Sequence, residues 1–110
     1  MKTNIKIKNI LFFLLIQCLA WTAYAQDAAI KEAETAYTKE DYGKAIELYE
    51  GILKSNGDSP EIYYNLGNAY YKAGKIASAI LNYERALVLD PGDAAKIFVI
   101  ITQSKSNTPI

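Results

Sequence analysis

Histidine is absent from this chain of 110 residues, and cysteine occurs once, at Cys18. Without an imidazole, the side chain whose ordinary pKa best suits proton transfer near neutrality is missing. A single cysteine permits no disulfide within the chain. No serine or threonine stands in a recognisable nucleophile motif, and no pair of acids is flanked by apolar pocket residues. The glycine-bearing stretch "GNAYYKAGKI" is not a phosphate loop: its glycines are wrongly spaced, and Ile76 stands where a metal-binding hydroxyl would follow the lysine. Nor do the carboxylates cluster with the spacing of metal ligands. The expectation is a protein that is not an enzyme by itself and carries no cofactor or metal.

Net charge is also lacking, with twelve basic and twelve acidic residues. Three lysines, Lys2, Lys6 and Lys8, are the only charges before Asp27, and without them the remainder has a net charge of −3. Such a balance offers no electrostatic footprint for nucleic acid.

The first 25 residues read as a bacterial secretory signal. A lysine-bearing start precedes the apolar run "ILFFLLI" (Ile10–Ile16), and "AYA" (Ala23–Ala25) supplies small residues for cleavage before Gln26. Two alternatives stand beside it. One is an uncleaved membrane anchor, against which count the short apolar core and the interruption at Gln17. The other is a lipoprotein acylated at Cys18, where the bulky Gln17 is a poor preceding residue. Cleavage after Ala25 would leave no cysteine.

What the chain does contain is a repeat of 34 residues. Shifted by that period, "YTKEDYGKAIELYEGIL" (Tyr37–Leu53) overlies "YKAGKIASAILNYERAL" (Tyr71–Leu87), with Tyr, Ala-Ile, Tyr-Glu and Leu coinciding. Each unit reads as two helices. In the second, Ser59 is an N-cap, Pro60 suits the first helical position and Glu61 complements the helix dipole. Tyr63, Leu66, Gly67 and Tyr70 then share one face, and Gly74 ends the helix. The next helix begins near Lys75, carries Ile76, Ala79, Ile80, Tyr83, Ala86 and Leu87 on one stripe, and stops at Asp90-Pro91-Gly92. Gly67 costs helix propensity, so it marks close approach of two antiparallel helices. Because Ala33 lies at the equivalent place in the first unit, alanine is expected to be tolerated at 67.

Tyr63, Leu66, Gly67, Tyr70, Ala79, Tyr83, Ala86 and Pro91 occupy the eight signature places of the tetratricopeptide repeat, which this pattern resembles. The resemblance implies an all-α fold of tandem antiparallel helix-turn-helix hairpins, a fragment of a right-handed α-superhelix with about two repeats and a partial third helix. The expected divisions are a signal at 1–25, a divergent repeat at 26–59, a near-consensus repeat at 60–93, and a degenerate or truncated capping helix and tail at 94–110. The first repeat departs at Glu32, Ala36 and Gly57, where leucine, an aromatic and proline are usual. A polar Glu32 suits a terminal repeat with nothing stacked outside it. The order of signal, repeats and "LDPGDA" is also similar to the tetratricopeptide component of bacterial aerotolerance operons.

By the same resemblance, Tyr64, Asn68, Tyr71 and Lys72 line a concave groove, joined through the 34-residue shift by Ile30, Glu34, Tyr37 and Thr38. Aromatics beside amides and charges suit an extended peptide or a partner helix. Tyr64 and Tyr71 have a plainer alternative role in packing against the neighbouring repeat. A clamp for chaperone tails is excluded, since Tyr64 replaces the required lysine. Glu47, Glu50 and Lys54 read as a solvated face with an i,i+4 pair. The expected function is an exported protein-interaction scaffold in the bacterial cell envelope, periplasmic or associated with the inner membrane, binding a protein or extended peptide there. It would meet the membrane only through an uncleaved signal or a membrane partner. Alternatives are a remnant of a longer repeat protein without independent activity, or a regulatory subunit of an envelope enzyme.

Overall fold

The computed structural model describes residues 2–93, 99–103 and 106. Among the described residues, the elements run in order α1 Lys2–Thr38, α2 Tyr42–Asn56, α3 Pro60–Lys72 and α4 Ile76–Leu89, then a 3-10 turn at Pro91–Asp93 and helical residues at 99–103. Each helix packs against the next, α1 on α2, α2 on α3 and α3 on α4, giving two stacked hairpins. Among the described residues there is no strand. Residues 94–98, 104–105 and 107–110, which form most of the expected capping unit and tail, lie outside the described residues.

The 34-residue period extends to individual backbone hydrogen bonds. At the α1–α2 turn, Lys39, Glu40 and Asp41 donate to the carbonyls of Thr35, Tyr37 and Ala36. At the α3–α4 turn, Ala73, Gly74 and Lys75 donate to Ala69, Tyr71 and Tyr70, each the shifted counterpart. Both turns need a left-handed residue. Gly74 supplies it at φ 81°, and Glu40 adopts it at φ 63° despite its Cβ.

The helix starts differ. Asp41 caps α2 by accepting from the Lys44 N–H at 3.3 Å, and Ser59 caps α3 by accepting from Ile62 at 3.4 Å. Lys75 makes no such side-chain bond at α4. Gly57 has φ 87°, an angle proline cannot reach, which accounts for glycine where the second repeat has Pro91.

Two apolar clusters hold the stack together. The first joins Ala33 and Ala36 of α1 to Ala45, Ile46, Tyr49 and Ile52 of α2 and Ile62, Leu66 and Ala69 of α3. The second gathers Ala79, Tyr83 and Ala86 of α4 with Ile101 of the last described helical segment. Helix α3 therefore buries two faces, with Ile62 and Ala69 turned to the first cluster. Leu66 is buried there, whereas its counterpart Glu32 is exposed, since no described helix lies outside α1 at that point.

The structure corrects one expectation about Gly67. A Cβ there would lie 2.6 and 2.7 Å from Tyr83 Cε1 and Cδ1, so alanine already collides with the ring. Real Ala33, fully buried at the equivalent place, shows that the first hairpin leaves more room. The second correction concerns Glu50. It is not merely part of a solvated face, because the Tyr70 hydroxyl donates to its carboxylate and ties α3 to α2.

Helix α1 runs unbroken through Ala23–Gln26. Its first half exposes Ile5, Ile7, Ile10, Leu11, Phe12 and Phe13, and further on Trp21 and Tyr24, on all sides.

Candidate functional site

The groove positions fall into two rows, one on each odd-numbered helix of the repeats. On α3, Tyr64, Asn68 and Tyr71 are half-buried and Lys72 is exposed. On α1, Ile30 and Tyr37 are half-buried, while Glu34 and Thr38 are exposed. Spacings of four, seven and eight residues keep each row on one helical face.

The Tyr83 hydroxyl meets the α3 row from beneath. It donates to Asn68 Oδ1 at 2.6 Å, and the Tyr83 ring sits 5.8 Å from that of Tyr64 in a tilted arrangement. Burial holds this phenol far above its ordinary pKa, and the neighbouring Tyr64, Tyr37 and Tyr71 add to the effect. Tyr71 packs against the same cluster as Tyr83, whereas Tyr37 packs against the first cluster. Tyr49, the counterpart of Tyr83, is likewise pushed up to about 12, first by burial and then by Glu34 and Tyr37.

Individual members of the rows have distinct local roles. Tyr64 and Tyr71 pack against the second cluster, and Ile30 and Tyr37 against the first. Tyr37 also meets Tyr42 edge-on, with ring centroids 5.4 Å apart. Thr38 donates back to the Glu34 carbonyl at 2.9 Å. With its carbonyl engaged by Tyr83, what Asn68 presents to a partner is its Nδ2 donors. The resulting surface can hold an extended backbone through an amide flanked by phenol rings.

The signature residues form the frame beneath. Leu66, Gly67, Ala79, Tyr83 and Ala86 are buried, Tyr63 and Tyr70 are half-buried, and Pro91 is exposed in the 3-10 turn. Tyr63 donates to Asp58 at 2.7 Å, which raises its pKa, and Arg85 lies 5.8 Å from its ring. Tyr70 is pushed up to about 12, chiefly by its bond to Glu50 and then by burial.

Sequence reasoning missed Ile62 and Ala69, although their seven-residue spacing is a second apolar face that could have marked them. It also missed Asn82, which is 3% exposed; its Nδ2 donates to the Ser78 carbonyl at 2.8 Å while Oδ1 is left without a partner. Its counterpart in the first repeat is Leu48. Among the described residues, no group of three or more acids and cysteines could hold a metal ion.

The sequence profile of the tetratricopeptide repeat family matches residues 30–94, more than half of the chain. This chain belongs to the tetratricopeptide repeat family. Similar segments occur in tetratricopeptide repeat protein 21B of Xenopus laevis, 30% identical over 76 residues and 64% of this chain. Others occur in the inactive TPR repeat-containing thioredoxin TTL3 of Arabidopsis thaliana, 38% identical over 48% of this chain, and in a protein SGT1 homolog of Oryza sativa subsp. japonica, 31% identical over 64%. The matched segments make up only 6%, 7% and 19% of those three proteins. The likeness therefore concerns the tetratricopeptide repeats, whose general use is to bind proteins or peptides.

Proposed function

We propose that this tetratricopeptide protein is an exported scaffold that binds an extended peptide or partner helix along the α1–α3 face. The observation that carries the reading is the row of half-buried Tyr64, Asn68 and Tyr71 on one face of α3, with half-buried Tyr37 at the corresponding place on α1, in a family that binds proteins. Half-buried phenols offer apolar area with little rotamer entropy to lose, and the amide supplies directional donors.

Export is supported by the lysine-bearing start, the apolar run after it and the acidic remainder. A bacterial envelope, with aerotolerance as the physiological setting, is the narrower form of this proposal and rests on the order of sequence features alone.

The test is affinity capture from solubilised envelope with the full chain, comparing the parent protein with Asn68→Asp, Tyr71→Ala and the exposed control Glu47→Ala. Loss of the same captured protein in the first two variants, with retention in the third, is the expected result. Capture that depends on Glu47 and ignores Asn68 and Tyr71 would move the binding face to α2.

A further inference from the structure

We infer that the first half of α1 is a retained membrane anchor that carries the repeats directly on the outer surface of a bilayer. The ligand of this helix is the lipid itself. Between Lys8 and Asp27 no residue is charged, and those 18 positions span about 27 Å as a helix, close to a bilayer's hydrocarbon thickness. Large apolar side chains project from every side of this segment, among them Phe12, Phe13, Leu15 and Leu19, each more than half exposed. Among the described residues, no helix covers them. A helix that is apolar all round belongs in a core or in lipid.

The two ends differ as a span's ends should. Lys2, Lys6 and Lys8 flank the amino-terminal end, which sets that end on the cytoplasmic side. Trp21 and Tyr24, 77% and 76% exposed, stand at the other end, where amphipathic rings favour the headgroup layer.

Two structural features argue for retention over removal at Ala25. The backbone of the exposed Ala23–Gln26 segment remains helical, whereas proteolytic nicking favours flexible segments. Thr22, Ala25 and Gln26 also form one wall of a cleft of about 550 Å³, whose opposite wall is Glu47, Leu48, Gly51, Ile52, Ser55 and Asn56 of α2. Removing residues 1–25 would take away part of that wall.

A definite geometry follows. Ala29, the first α1 residue packed into the repeat core, is only five positions beyond Tyr24, about 8 Å along the helix. The end of α2 at Ser55 therefore lies near the headgroups. The α1–α2 and α3–α4 turns lie about 20 Å further out, set by the 14-residue rise from Tyr24 to Thr38. The peptide-binding face stands upright on the membrane, with no flexible linker between.

The single cysteine makes the idea testable on the full chain. Protein recovered from membranes after alkaline carbonate washing should have an intact mass that includes Cys18. Its thiol should resist a membrane-impermeant maleimide in sealed vesicles and react fully once detergent is added. A chain beginning at Gln26, which has no thiol, or one beginning at a lipidated Cys18, would overturn the inference. For the geometry, fluorophores at Ser55→Cys and at Lys75→Cys, each in a Cys18→Ser background, are compared in phosphatidylcholine vesicles containing headgroup-labelled quencher lipid. Quenching several-fold stronger at 55 than at 75 is expected; equal quenching would show that the repeats do not stand upright on the span. Because peptide capture is not the readout, failure here leaves the binding-face proposal to its own test.

Discussion

Gly67→Ala should destabilise this protein, although the same change in an open helix stabilises. The added Cβ would sit 2.6 Å from Tyr83 Cε1, 2.7 Å from Cδ1 and 3.1 Å from Cζ. Ordinary carbon contact begins near 3.5 Å, so the ring must retreat by roughly 0.8 Å. It has nowhere cheap to go: Tyr83 is 1% exposed, its hydroxyl is bound to Asn68, and Tyr64 lies beside it. Overpacking of this kind costs about 1–3 kcal/mol, against a helix-propensity gain of about 1 kcal/mol. The net is a loss of about 1 kcal/mol, or roughly 4–8 °C in Tm for a domain of this size.

Gly51→Ala is the internal control. It lies inside α2 with nothing within 4 Å of its would-be Cβ, so alanine there should add up to about 1 kcal/mol. Urea unfolding followed by far-UV circular dichroism compares the two. In a Tyr83→Leu background the ring is gone, and Gly67→Ala should change sign and stabilise. If Gly67→Ala raised the midpoint in the parent protein as much as Gly51→Ala does, the close-approach argument would fail.

Three further outcomes follow from the same packing. Glu40→Gly relieves a left-handed backbone at φ 63° and should stabilise by about 0.5–1 kcal/mol after the entropy of a freer unfolded chain is subtracted, visible as a higher urea midpoint. Tyr70→Phe and Glu50→Ala should each cost about 0.5–1.5 kcal/mol, but the second should add little once the first is made; full additivity in that double-mutant cycle would deny the hydrogen bond. Tyr49 and Tyr70 keep their protons to about pH 12, whereas unfolded phenols lose them near 10, so the unfolded state binds fewer protons in between. Stability is thus fully present below about pH 10 and falls as pH rises towards 12; a Tyr49→Phe, Tyr70→Phe variant should show a shallower fall, and an identical one would remove the tyrosines as its cause.

The hairpins were legible because a repeat imposes the same packing problem twice. Gly67 announced close approach, Ser59-Pro60 a helix start, and Gly74 a helix stop, all from residues whose conformational limits are local. Glu40 was not legible at its turn, since glutamate is an ordinary helical residue and only the hydrogen bonds shared with Gly74 reveal its backbone. Ile62 and Ala69 escaped because a periodic search returns the strongest face, while α3 lies between two helices and buries a second. Tyr70 with Glu50, and Tyr83 with Asn68, join residues 20 and 15 positions apart across helix boundaries. No spacing rule within one helix can anticipate such pairs.

The Asn68 bond also changes how the binding face must be tested. Asn68→Ala would leave the Tyr83 hydroxyl, in a residue 1% exposed, without its acceptor, and an unsatisfied buried polar group costs about 1–3 kcal/mol. Any loss of partner capture by that variant would then mix recognition with damage beneath it. Asn68→Asp separates the two, because a carboxylate oxygen can still accept from Tyr83 while the Nδ2 donors are gone. If the amide donates to a bound backbone, this variant should lose capture by about tenfold or more with its urea midpoint nearly unchanged. Asn68→Ala should lose both. Should Asn68→Asp bind its partner as well as the parent chain while Asn68→Ala fails, Asn68 would be a support for Tyr83 alone, and recognition would rest on the phenol rings of Tyr37, Tyr64 and Tyr71.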